Sequence, residues 1–221
     1  TFILLYAFLA QWTMQTAGII TAILILAFVS FKDDRTPIPS SVRIFVQVLI
    51  GFIIFVTGSR IYTITNPLEG FLGMGNLIKL DTIDIGPTFS ILNSQFSIPF
   101  GPLPFWSGIF TIIWLMITMN ALNWFDGISG QVHTLSGIGF LTIGFLSLSD
   151  RVNQPELAML AFILAGTAIA GLLFDFPPPK VLIGDTGALF FGLMLGILTI
   201  HSGGKVATAF LVLGVPLIDF G

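Results

Sequence analysis

Apolar runs long enough to enter a bilayer alternate with short polar breaks along most of the chain. Thr1–Ala10 and Thr16–Phe31 flank a break at Gln11–Gln15, and further runs cover Val42–Thr57, Pro104–Met119, Val132–Leu148, Glu156–Phe174, Gly187–Ile200 and Val206–Ile218. At 1.5 Å rise per residue about 20 residues cross the hydrocarbon, so each run reads as one membrane helix, the first as the tail of a truncated one. The expectation is an all-α polytopic integral membrane protein, a bundle of about seven to eight transmembrane segments in one domain over residues 1–221. Pro37 and Pro39 forbid a regular helix through the polar break Lys32–Ser41.

Residues 58–99 depart from this pattern and read as a loop or hairpin outside the membrane, on the face opposite Asp33 and Asp34. Arg60–Ile64 and Leu77–Leu80 are short strand-like pieces within it. Its acidic residues Glu69, Asp81 and Asp84 stand in ordinary loop contexts and suggest no chemistry.

Crossing parity groups the remaining breaks. With Asp33 and Asp34 on one face, alternate crossings return Asn120–Gly130, then Asp175–Asp185, then Asp219 to that same face. Lys32, Arg35, Arg43 and Lys180 fall on it, while Arg60, Lys79, Arg151 and Lys205 fall on the other, so basic residues give no orientation.

Composition narrows the class. The chain is 55% hydrophobic and 9% charged, with mean hydropathy +1.00, whereas soluble domains carry about 25% charged residues. A net charge of −3 offers no basic surface for nucleic acid, and the absence of cysteine excludes thiol chemistry. Residue 1 is Thr inside an apolar run, and the chain stops just after Pro216-Leu217-Ile218-Asp219, so it reads as a fragment missing both termini.

Three acidic motifs carry the candidate chemistry. Asp33-Asp34 are adjacent carboxylates between Lys32 and Arg35, followed by Arg43 and Gln47, which share a helix face. Asp126 follows Asn120 and Asn123 and precedes Gly127, and carboxamides that donate and accept suit nucleotide or sugar recognition. Asp185 lies in Gly184-Asp185-Thr186-Gly187 ahead of an apolar helix, where it is either an N-cap or part of a phosphate site. Brought together, these carboxylates suit Mg²⁺ or Mn²⁺ bridging phosphate oxygens. His133 and His201 fall on opposite faces and make no zinc site; His133 reads as an interfacial or packing residue and His201 as part of a polar turn. A transporter is the main competing class, yet a pore needs polar groups at several depths and these acids gather at one surface.

Taken in order, the motifs resemble the polyprenyl-phosphate N-acetylhexosamine-1-phosphate transferases. The matching stretches are Asp33-Asp34 with Arg43 and Gln47, Asn120-Ala121-Leu122-Asn123-Trp124-Phe125-Asp126-Gly127, and Phe176-Pro177-Pro178-Pro179-Lys180 running to Gly184-Asp185-Thr186-Gly187. The resemblance spans roughly residues 16–219, and Pro216–Asp219 resembles a further family segment. It implies transfer of a sugar-1-phosphate from a UDP-sugar to a polyprenyl phosphate in a bacterial-type plasma membrane. The active site would face the cytoplasm, UMP would be released, and a homodimer is compatible. Asp185 would be the first Mg²⁺ ligand, with Asp33 and Asp34 orienting the lipid phosphate and Asp34 helping to hold the metal. Asp126 and Asn123 would position the nucleotide, Arg43 would steady a phosphate, and Gln47, Asn120, Asp175 and Lys180 would line the substrate.

Gly184-Asp185-Thr186-Gly187-Ala188-Leu189-Phe190-Phe191 is closer to the GlcNAc-1-phosphate branch than to the phospho-MurNAc-pentapeptide transferases, the alternative. Three departures stand out. Ser129 replaces the second Asp of the family's Asp-Gly-x-Asp-Gly pattern, Asp175 stands where many relatives have Asn, and Gln131-Val132-His133 replaces a small apolar continuation. Asp175 would then offset the charge lost at Ser129. The family's histidine-rich loop is not in the sequence, and the loss at Ser129 leaves a non-catalytic lipid-phosphate binder as a further alternative.

Overall fold

The computed structural model describes residues 13–65, 77–79, 97–98, 101–102, 104–150 and 152–202. Helix α1, Met14–Arg35, opens on Thr13, whose hydroxyl accepts the Thr16 N–H (3.2 Å). It ends where the Thr36 N–H returns to Lys32 O and Pro37 blocks continuation. Helix α2, Ser40–Val56, starts directly after Pro39 and stops before Gly58, which has φ +116°. Helix α3, Phe105–Trp124, starts after Pro104 and runs into a 3₁₀ turn, Phe125–Gly127. Helix α4, Gln131–Leu148, helix α5, Pro155–Asp175, and helix α6, Gly184–His201, complete the described bundle.

Five of these helices are long and apolar enough to cross a membrane, and α2 is apolar but shorter at 17 residues. The protein is an all-α, multi-pass membrane bundle. Outside it, β1 (Thr63–Thr65) pairs antiparallel with β2 (Leu77–Lys79), and β3 (Ser97–Ile98) with β4 (Gly101–Pro102). The expected crossing at Val206–Ile218, Asp219 and the run Thr1–Ala10 lie outside the described residues.

The helices outrun the apolar segments that announced them. Lys32–Arg35, expected in a loop, is the last turn of α1, and His201, expected in a polar turn, closes α6. Hydropathy marks where side chains meet lipid, whereas backbone hydrogen bonding continues into the interface until a proline or a positive-φ glycine stops it.

Helix α6 is the axis. Every residue from Ala188 to Thr199 except Phe190 is buried, as expected of a helix covered all round by protein. It packs on α1, α3 and α4, with a lighter contact to α5. Gly192 permits the tightest approach, because a Cβ there would stand 2.6 Å from both the Met119 Cα and the Thr118 carbonyl oxygen of α3. Helices α4 and α5 form an extensive antiparallel pair through Gly137, Gly144, Ala161, Ala165 and Ala168. Outward-facing Leu24, Phe28, Phe45, Phe52, Ile113, Phe145 and Leu173 give the bundle an apolar surface suited to lipid.

Candidate active site

The ends of α1, α3 and α5 and the starts of α2, α4 and α6 meet at one end of the bundle, and all three acidic motifs are there. Asp33 and Asp34, neighbours in sequence, have different surroundings. Asp33 is 8% exposed and is held from two sides. Its Oδ1 accepts the Ile38 N–H (2.7 Å) and Arg43 Nη2 (3.0 Å), and its Oδ2 lies 2.7 Å from Arg43 Nε. This side-on guanidinium pair ties α1 to α2 across the proline-rich corner. Asp34 is exposed, and its Oδ2 accepts the Thr186 hydroxyl (2.6 Å) from the first turn of α6.

Arg43 reaches a second carboxylate. Its Nη1 lies 3.4 Å from Asp185 Oδ2, so one guanidinium stands between the end of α1 and the start of α6. The Asp185 side chain is 35% exposed and faces no second cation among the described ion pairs. Gly184 has φ +64°, a left-handed backbone, and a Cβ on it would sit 3.4 Å from Asp34 Oδ2. Glycine at 184 is thus required for backbone shape, and the Asp34 carboxylate packs directly against it. Asp126, in the 3₁₀ turn, lies within electrostatic reach of Asp185, Asp175 and Asp34. The cluster concentrates negative charge with Arg43 as its main cation, an arrangement that draws a divalent cation or a cation–phosphate pair.

The amides divide the same way. Gln47 and Asn120 form a reciprocal pair, Gln47 Nε2 donating to Asn120 Oδ1 (3.2 Å) and Asn120 Nδ2 to Gln47 Oε1 (2.7 Å). Asn120 Nδ2 also reaches the Met116 carbonyl (2.7 Å). Both were expected at substrate; here they bond to each other and tie α2 to α3. Asn123 differs, because its Oδ1 is buried without a protein partner in the last turn of α3.

Asp175, also expected at substrate, is 2% exposed. Its Oδ2 accepts the Gly130 N–H (2.9 Å) and lies 2.9 Å from His133 Nδ1. It is therefore turned onto the protein's own donors, and His133, expected as a packing residue, is its hydrogen-bonded partner. Lys180 lies exposed on the α5–α6 loop, whose backbone closes through the Lys180 N–H on Phe174 O (2.8 Å). The sequence had no signal for Thr186 as an Asp34 partner, since that contact bridges positions 152 residues apart.

Among the described residues no group of three His, Asp or Glu side chains is gathered closely enough to form a complete metal cage. Asp34 and Asp185 are the two carboxylates that combine exposure with a shared edge at Gly184.

The family model described as glycosyl transferase family 4 matches residues 16–203. A Bacillus subtilis (strain 168) relative, described as a "Probable undecaprenyl-phosphate N-acetylglucosaminyl 1-phosphate transferase", is 28% identical over 216 residues, covering 85% of this chain and 59% of that protein. A phospho-N-acetylmuramoyl-pentapeptide-transferase of Levilactobacillus brevis is 34% identical over 95 residues, covering 43% of this chain and 29% of its own. One from Listeria welshimeri is 37% identical over 84 residues, covering 38% of this chain and 25% of its own. The chain thus spans 59% or less of the length of each of these relatives.

Proposed function

The chain belongs to glycosyl transferase family 4, and on that premise we propose that it forms the membrane core of an enzyme moving a sugar-1-phosphate from a UDP-sugar to a polyprenyl phosphate. The observation that carries this reading is the convergence of Asp34, Asp126 and Asp185 at helix ends, with Arg43 ion-paired to Asp185. A lipid-borne phosphate and a water-borne nucleotide can meet only at such a level of the bilayer.

In the proposed reaction an oxygen of the polyprenyl phosphate attacks the sugar-bearing phosphorus. A new phosphoanhydride bond forms as the bond to the UMP phosphate breaks, and UMP leaves with the bridging oxygen. The nucleophile is already anionic, so the barrier lies in bringing two anions together. Arg43 supplies fixed positive charge and is aimed by its pair with Asp33. Asp33, buried and saturated, acts as the support, while Asp34 is the carboxylate of the pair that faces outward. Asn123 Oδ1 is a buried acceptor with no protein partner in the last turn of α3, and we assign it to a sugar hydroxyl or base N–H of the substrate.

Mg²⁺ fits this donor set, because it takes one or two carboxylates and fills its remaining positions with water and substrate phosphate. Asp34 and Asp185 would hold it, and when bound it would neutralise charge on the reacting phosphates. We assign GlcNAc-1-phosphate as the group transferred, since the relative carrying that name aligns across 85% of the chain while the pentapeptide transferases align across 43% and 38%. The acidic end is assigned to the cytoplasmic face, where UDP-sugars are found.

The test is UMP release by the full-length protein in detergent with UDP-GlcNAc and undecaprenyl phosphate, with and without Mg²⁺, beside Asp185→Asn. Metal-dependent release lost in the variant is expected. A folded parent that releases no UMP from any of a panel of UDP-sugars would overturn the reading in favour of a lipid-phosphate-binding relative disabled at Ser129.

A further inference from the structure

Two residues at this end of the bundle meet each other instead of the open side of the site. His133 lies in the first turn of α4, and Asp175 is the last residue of α5. Both are buried, at 7% and 2% exposure. Since a carboxylate only accepts, His133 donates from Nδ1 to Asp175 Oδ2, the same oxygen that takes the Gly130 N–H.

The surroundings leave the imidazole little freedom. Its ring stands edge-on to Phe191 of α6, with centroids 5.7 Å apart and planes at 75°. On its other side is Gly171 of α5, where a Cβ would overlap the ring. His133 thus sits at the junction of α4, α5 and α6 with its Nδ1 directed at Asp175. Asp175 lies at the negative end of α5, which disfavours a carboxylate, yet beside the positive start of α4, which favours one. Its Oδ1 has no partner, so Gly130 and His133 supply all its described hydrogen bonds.

The link to chemistry runs through Gly130. That residue has φ +80° and ends the turn that begins with the 3₁₀ segment containing Asp126. Holding its N–H fixes one end of that turn, and both residues of the pair lie within electrostatic reach of Asp126.

We propose that His133 and Asp175 act as one positioning unit, which pins the Asp126–Gly130 turn to the end of α5 and so sets where Asp126 stands. The kinetic part of this inference rests on the transferase reading; the pinning of the turn does not.

Asp175→Asn keeps an oxygen for both donors and can turn its NH₂ toward the vacant Oδ1 side, so it removes only the charge. His133→Ala leaves a buried carboxylate with a single donor. The double variant removes that stranded charge again. The experiment is a cycle of parent, H133A, D175N and H133A/D175N, with D175A alongside, in the full-length protein. Hydrogen–deuterium exchange over residues 125–134 is read together with UMP release.

H133A is expected to raise exchange over that segment but not in α1 or α6, and to lower kcat at least about 10-fold with KM for UDP-GlcNAc within about 3-fold. D175N stays within about 3-fold of the parent in kcat, D175A falls with H133A, and the double variant recovers to within about 3-fold. A double variant as impaired as H133A, or exchange that rises uniformly through the bundle, would overturn the proposal. Should H133A not fold, the double variant decides, since independent roles predict that it fails too. A parent without UMP release removes the transferase reading, and the exchange cycle still decides the pairing.

Discussion

The two ends of α6 are both polar, and they treat their polar groups in opposite ways. At the far end from the acidic cluster, His201 Nε2 lies 2.9 Å from Gln15 Nε2 and 3.0 Å from Ser59 Oγ. The Gln15 amide nitrogen can only donate, so His201 accepts at Nε2 and is neutral. Gln15 also donates to Ser59 Oγ (3.2 Å), which closes a network linking α1, the end of α2 and α6. At the start of α6, Asp185 shares one guanidinium with Asp33, and Asp34 has one hydroxyl partner. One end spends its polar groups on each other and ties helices together. The other leaves carboxylates of like sign close to each other and partly open, which opposes stability and favours a ligand that carries positive charge.

Substitutions sharpen this contrast. The largest effect belongs to the open end: Asp185→Asn is expected to lower UMP release by at least about 10³-fold, as is chelation of divalent cations, while thermal stability stays close to the parent's. If D185N keeps more than a tenth of parental activity, the open end is not the site of chemistry. Asp34→Asn comes next, with a loss of about 100-fold in kcat and an unchanged melt. Its neighbour should behave differently. Asp33→Asn weakens the support under Arg43 and is expected to cost about 1–3 kcal/mol in stability, seen as a lowered melting temperature in detergent. Equal melts for D33N and D34N would erase the distinction between support and ligand. The smallest effect is at the closed end, where His201→Ala should cost about 1 kcal/mol and leave UMP release per folded molecule unchanged. Lost activity at unchanged stability in H201A would mean that the closed end also takes part in turnover.

The pair Asn120 and Asn123 shows how far the sequence could be read. Three residues apart on α3, they were alike as candidate substrate contacts. Asn120 is taken by Gln47, and Asn123 keeps a buried oxygen free. Nothing local separates them; the difference is that a polar side chain of α2 meets one and no described polar group meets the other's oxygen. Asp33 and Asp34 repeat the lesson, since the last turn of α1 points one at Arg43 and the other at Thr186. For His133 and Asp175, both stood out in the chain as departures from a family pattern, but their pairing across 42 positions did not.

By itself the sequence determined that the chain is a multi-pass helical membrane protein, and crossing parity put its acidic motifs on one face. Those conclusions rest on additive, local quantities: hydropathy per residue, rise per residue, and the prolines and glycines that stop helices. Only the tertiary structure decided which polar groups are spent and which remain available. Hydrogen bonds and ion pairs act over about 3 Å between helices whose contact depends on rotation and depth, and no run of sequence records either.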